Sequence, residues 1–166
     1  MKPIYRKKER RNKVDVFSYP GAKTSDLQGK VRKTVGGGKT KVILHIGTND
    51  TVKAGSEKII KNIVSLIQEA KDANKDAEVG VCSIPSRTDN EVAFSRAEGI
   101  NNRLGEICRN AGAEFIDLRG YLVSCRWWRA RDGVHYSEEG ARIAGERIGE
   151  ITDSFLGLGK ERDGGP

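Results

Sequence analysis

The chain has 166 residues, 36% apolar and 32% charged, which suits a single domain with a buried core. No apolar run approaches the ~20 residues of a membrane span, and the N-terminal "MKPIYRKKERRNK" lacks the apolar segment of a secretory signal. The net charge is +7, but residues 1–13 hold seven Lys or Arg against the single Glu9, so the body of the chain is nearly neutral and the fold as a whole is not a basic nucleic-acid binder.

Residues 1–12 form a basic arm. As an arm it either contacts nucleic acid or an anionic surface, or is a solvated terminus. "KVDVFSY" (13–19) is β-branched and aromatic and reads as a strand, stopped by Pro20-Gly21. "TSDLQGKVRKTV" (24–35) places Leu27 and Val31 four apart behind the cap candidates Thr24 and Ser25, which predicts a short helix. "KVILHI" (41–46) is a nearly continuous apolar run, as in a strand buried on both faces, with His45 as a core histidine. Behind the cap candidate Ser56, the spacing of Ile59, Ile60, Ile63, Val64, Ile67 and Ala70 predicts a helix over 56–73.

"AEVGVCSI" (77–84) is the next strand, ended by Pro85. Phe94, Ala97, Ile100, Leu104, Ile107 and Ala111 mark the buried stripe of a helix over 91–111, with Gly112 as its terminator. "AEFIDL" (113–118) is the fourth strand, and 119–136 is a loop. Ser137, Glu138 and Glu139 suit the start of a last helix, because a cap hydroxyl and first-turn acids complement its dipole. Ala144, Ile148, Ile151 and Phe155 give that helix its buried stripe, and 157–166 is a tail.

Strands alternating with helices define an α/β class with a mainly parallel sheet. Ligands in such folds bind beyond the carboxyl ends of the strands. Gly21, "GTND" (47–50), "PSRT" (85–88) and the loop with Asp132 and His135 all fall at that edge. A neutral histidine can take a proton from a hydroxyl or water when its other nitrogen is held, and Asp132 lies three residues from His135. The Asn49 amide and the Gly21 N–H are donors suited to an oxyanion. The competing view is that Asp132 and His135 cap the last helix and that Asn49-Asp50 is only a turn.

"HIGTND", "DGVH" and "SYPGA" resemble, in that order, the third, fifth and second sequence blocks of the SGNH, or GDSL-like, hydrolases over roughly residues 13–155. The resemblance implies a flavodoxin-like three-layer fold and ester or acyl-ester hydrolysis without metal or cofactor. It implies His135 as general base and acid, Asp132 as its orienting carboxylate, and Asn49 and Gly21 as oxyanion donors. In finer detail "VILHIGTND" and "RARDGVHYSEEGARIAGERI" resemble the esterase-like domains in the first open reading frame of some animal non-LTR retrotransposons.

One departure is plain: the family's first block, G-D-S after its first strand, occurs nowhere in the sequence. The expectation is therefore a domain over 13–156 that lacks the first strand, a fragment or degenerate copy with impaired or no activity. A non-catalytic binding module on the same fold, associated with nucleic acid through the arm, is the alternative. Ser18 sits in a predicted strand and Ser86 lacks a G-x-S-x-G elbow, so neither is a persuasive substitute nucleophile.

"VGGGKT" (35–40) is not a phosphate loop, since it precedes a strand instead of following one. Trp127 and Trp128 pack the long loop or stack on a ligand. Cys82, Cys108 and Cys125 have no metal-ligand spacing and read as the reduced thiols of an intracellular, cytoplasmic protein.

Overall fold

The computed structural model describes residues 14–38, 40–122 and 130–157. The basic arm, Trp127, Trp128, Cys125 and the tail beyond residue 157 lie outside them. Three parallel strands form a sheet in the order β1 (Lys41–Leu44), β2 (Glu78–Cys82), β3 (Glu114–Ile116). The register sets Lys41 opposite Glu78 and Gly80 opposite Glu114. Side chains alternate across this sheet as a pleat requires. Val42, Leu44, Val79, Val81 and Phe115 join the larger core beneath α1 (Lys30–Gly36), α2 (Ser56–Ala73) and α3 (Glu91–Ala111). Ile43, Cys82 and Ile116 face the opposite way, toward Ile148, Ile151 and Phe155 of α5 (Glu138–Phe155). The result is the expected three-layer α/β arrangement.

The long helices follow their local signals. Asn90 caps α3 by accepting from the Ala93 N–H at 2.9 Å, and Gly112 ends it at φ +74°. Ser137 caps α5 by accepting from the Gly140 N–H at 2.9 Å. No helix among the described residues is long and apolar enough to cross a membrane.

Several expectations fail for long-range reasons. Residues 14–19 form no strand, and Val16 and Phe17 are 52% and 55% exposed. Strand propensity is realised only on a paired, half-buried surface, and this segment pairs with no described strand. The sheet therefore has three described strands and not four. Among the described strands β1 lies at one end of the order, with Lys41, Val42 and Ile43 partly buried, while burial pushes the His45 imidazole just past it below its usual pKa, as for the expected core histidine.

The helix predicted over 24–35 breaks at Gly29, whose φ is +79°, into a 3₁₀ turn at Thr24–Leu27 and α1. Ser56 is the first helical residue of α2 and caps nothing. Phe94 is 42% exposed, because Ala93, not Phe94, lies on the buried face of α3's first turn. A single helical turn, α4 (Arg119–Leu122), begins the loop after β3.

Candidate active site

Four loops leave the carboxyl edge of the sheet region, and lateral hydrogen bonds tie each to the next. The first is the turn Tyr19–Ala22, closed by the Ala22 N–H donating to the Tyr19 carbonyl at 3.1 Å. Pro20 and Gly21 hold its central positions, and Gly21 adopts φ +75°, the pattern of a type II turn. The Gly21 N–H has no acceptor among the described residues.

The second loop carries "GTND". The Asn49 side-chain amide donates to the Ala22 carbonyl at 3.1 Å, so Asn49 and Gly21 share one corner. Asp50 is 3% exposed and accepts from both the N–H of Thr24 (2.9 Å) and its hydroxyl (2.6 Å). Asn62 of α2 donates to the same hydroxyl at 3.0 Å. Thr24 therefore serves as a buried staple between two loops and not as a helix cap.

The Thr48 hydroxyl links this loop to the third, donating to the Pro85 carbonyl at 3.1 Å. Asn101 fixes the start of that third loop from α3. Its amide accepts from the Ile84 N–H at 2.8 Å and donates to the Ile84 carbonyl at 2.9 Å. In this way the side chain replaces a neighbouring strand just past β2.

The third loop meets the fourth through the Thr88 N–H, which donates to the Gly133 carbonyl at 2.7 Å. The approach is close enough to demand glycine: a Cβ on Gly133 would lie 2.7 Å from the Asp89 nitrogen and 2.8 Å from the Thr88 hydroxyl.

Asp132 organises the fourth loop. One carboxylate oxygen accepts from the N–H groups of Val134 and His135 at 2.8 and 2.9 Å, and the other meets His135 Nδ1 at 2.5 Å. The hydrogen bond from the His135 ring, followed by those two N–H groups, holds the Asp132 carboxyl well below the usual carboxylate range. An ionised carboxylate only accepts, so Nδ1 carries a proton, and in the neutral ring Nε2 is then the lone-pair nitrogen. Both side chains are about half exposed, and Nε2 has no partner among the described residues.

The structure thus pairs His135 with Asp132 and Asn49 with Gly21, and joins the two pairs through the 85–89 loop. Ser86 lies on that loop, but its hydroxyl donates to Glu98 of α3. Glu98 also receives Arg119, which forks onto Asp117. Sequence reasoning missed Asp50 as a staple, Asn101 and Thr88. The final residue of "GTND" was the available hint for Asp50; Asn101 and Thr88 carry no local signal. Among the described residues no group of three or more His, Cys, Asp or Glu side chains could hold a metal ion.

The profile of the GDSL-like Lipase/Acylhydrolase family matches residues 3–143. No curated protein sequence matches the chain. Solved structures with a similar fold include a carbohydrate esterase family 3 protein from Talaromyces cellulolyticus, at TM-score 0.65 and 18% identity, covering 84% of this chain and 70% of that one. The psychrotrophic esterase EstA from Pseudoalteromonas sp. matches at TM-score 0.65 and 12% identity, over 82% of this chain and 74% of its own. A peptidoglycan O-acetylesterase matches at TM-score 0.63 and 18% identity, over 84% of this chain and only 45% of its own. At these identities the likeness is one of fold.

Proposed function

The chain belongs to the GDSL-like lipase/acylhydrolase family, and on that premise we propose that its loop edge is the histidine and oxyanion half of an acyl-ester hydrolase site. The carrying observation is the His135–Asp132 pair, with Nδ1 held by a carboxylate and Nε2 unpartnered among the described residues. That tautomer is the one a general base needs. Asn49 and the Gly21 N–H, placed together by the Ala22 carbonyl, supply donors for the oxyanion.

The nucleophile is the weak point. The sequence has no G-D-S, and the Ser86 hydroxyl is committed to Glu98. His135 can still polarise a water, but no positioned hydroxyl forms an acyl intermediate. Losing the nucleophile of a serine triad costs on the order of 10⁶ in rate and leaves roughly 10³–10⁴ over water. These 166 residues therefore turn over esters near background.

The test is p-nitrophenyl acetate hydrolysis by residues 1–166 beside a version with a G-D-S strand grafted ahead of residue 13. We expect background rates in the first and a gain in the second that His135→Ala abolishes. Robust turnover by the parent that Ser86→Ala removes would overturn this assignment. No gain on grafting, with the fold intact, would favour a non-catalytic binding role for the same edge.

A further inference from the structure

The Asp132–His135 pair is about half exposed, yet its proposed chemistry needs a fixed geometry. On one side Tyr136 packs against the second core cluster. On the other, the 85–89 loop grips the pair's turn through the Thr88–Gly133 hydrogen bond at 2.7 Å and the close passage of Gly133 over Asp89. What holds residues 87–89 in shape therefore bears on where Asp132 sits.

Arg87 and Asp89 straddle Thr88. The Arg87 fork donates to both Asp89 oxygens, Nε to Oδ1 at 2.6 Å and Nη2 to Oδ2 at 2.5 Å. A planar two-point pair closes the tripeptide more firmly than a point charge does. The Arg87 side chain is only 13% exposed and that of Asp89 31%, so this pair is better shielded than an ordinary surface pair. Arg87 is also the cation facing two carboxylates. Its hydrogen bonds to Asp89 come first in raising its pKa, and the charges of Asp89 and Asp132 add to them.

We propose that Arg87 is a positioning residue for the Asp132–His135 pair. It acts by clamping Asp89 and so presenting the Thr88 N–H to Gly133. The relevance of that role to catalysis rests on the hydrolase reading above, but the clamp itself can be measured without turnover.

The experiment follows amide hydrogen exchange and the His135 Nδ1 proton resonance in the full chain, comparing the parent with Arg87→Ala, Arg87→Lys and Asp89→Asn. In Arg87→Ala we expect the Val134 and His135 amides, which donate to Asp132, to exchange about fivefold to tenfold faster. The Nδ1 resonance should weaken, and the amides of α2 and β2 should keep their rates. Arg87→Lys keeps the charge but not the fork and should restore only part of the protection; Asp89→Asn should behave like Arg87→Ala.

Unchanged exchange at 133–135 in Arg87→Ala would overturn the proposal. So would a uniform acceleration that includes α2 and β2, because that would mean general destabilisation. Failure of the His135→Ala hydrolysis test would remove the catalytic reading and leave these rates interpretable.

Discussion

Replacing Asp50 by Ala isolates the staple between the first two loops. Asp50 is 3% exposed and Thr24 fully buried, so the substitution strands two donors away from water, the Thr24 N–H and its hydroxyl. A buried donor left without an acceptor costs about 1–3 kcal/mol, which brackets the loss at about 2–6 kcal/mol. The hydroxyl still accepts from Asn62 Nδ2 and can swing its proton about the C–O bond toward another acceptor or water, whereas the backbone N–H cannot turn. That asymmetry favours the lower half, about 2–4 kcal/mol. For a chain of this length the melting temperature should then fall by roughly 5–15 °C.

Asp50→Asn keeps one oxygen for the Thr24 N–H but sets an amide against a hydroxyl that already accepts from Asn62, so it should cost about half as much. Urea and thermal unfolding, followed by circular dichroism, give both numbers. Asp50→Ala within about 0.5 kcal/mol of the parent, the range of an ordinary surface change, would refute the staple.

Asn101→Ala should cost about 2–4 kcal/mol in the same assay, since it removes the side-chain partner of both backbone groups of Ile84. Asn101→Asp should be worse at neutral pH, where a carboxylate faces the Ile84 carbonyl. Its folded pKa would be raised above the ordinary value of about 3.9, so the penalty is full above that raised pKa and relieved as pH falls through it. A variant-to-parent gap that widens in acid would contradict this. Burial pushes the Cys82 thiol up to about 12 and the Cys108 thiol up to about 11. At pH 8 both should therefore resist Ellman's reagent until urea exposes them, and rapid labelling of either in the folded protein would show that the core opens readily.

Local chemistry made much of this fold legible. The apolar spacing over 56–73 and 91–111 returns as α2 and α3 at those bounds, because a helix reads its own sequence. Asn90 and Gly112 bracket α3 through contacts within a few residues. Sequence reading failed where a residue's fate depends on a distant partner. "KVDVFSY" has every mark of a strand except a described neighbour to pair with. Thr24 resembles a cap by position, and only the fold reveals Asp50, 26 residues away, as its partner.

The same distinction governs the site. Its motif residues are legible because each block is a short run: Asp132 and His135 complete their geometry within one turn, as do Pro20 and Gly21. The spacing between the blocks is set by other residues. Asn49 reaches Ala22, Thr48 reaches Pro85, Asn101 holds Ile84, and Thr88 reaches Gly133. These lateral bonds run along the edge of a sheet whose described strands span only three to five residues each, so the strands alone are short levers for fixing loop positions. The carboxyl edge is thus held together mainly by loop-to-loop and helix-to-loop contacts. Substitutions at Thr88 or Asn101 should disperse the donors and the base while leaving every family motif intact in the sequence.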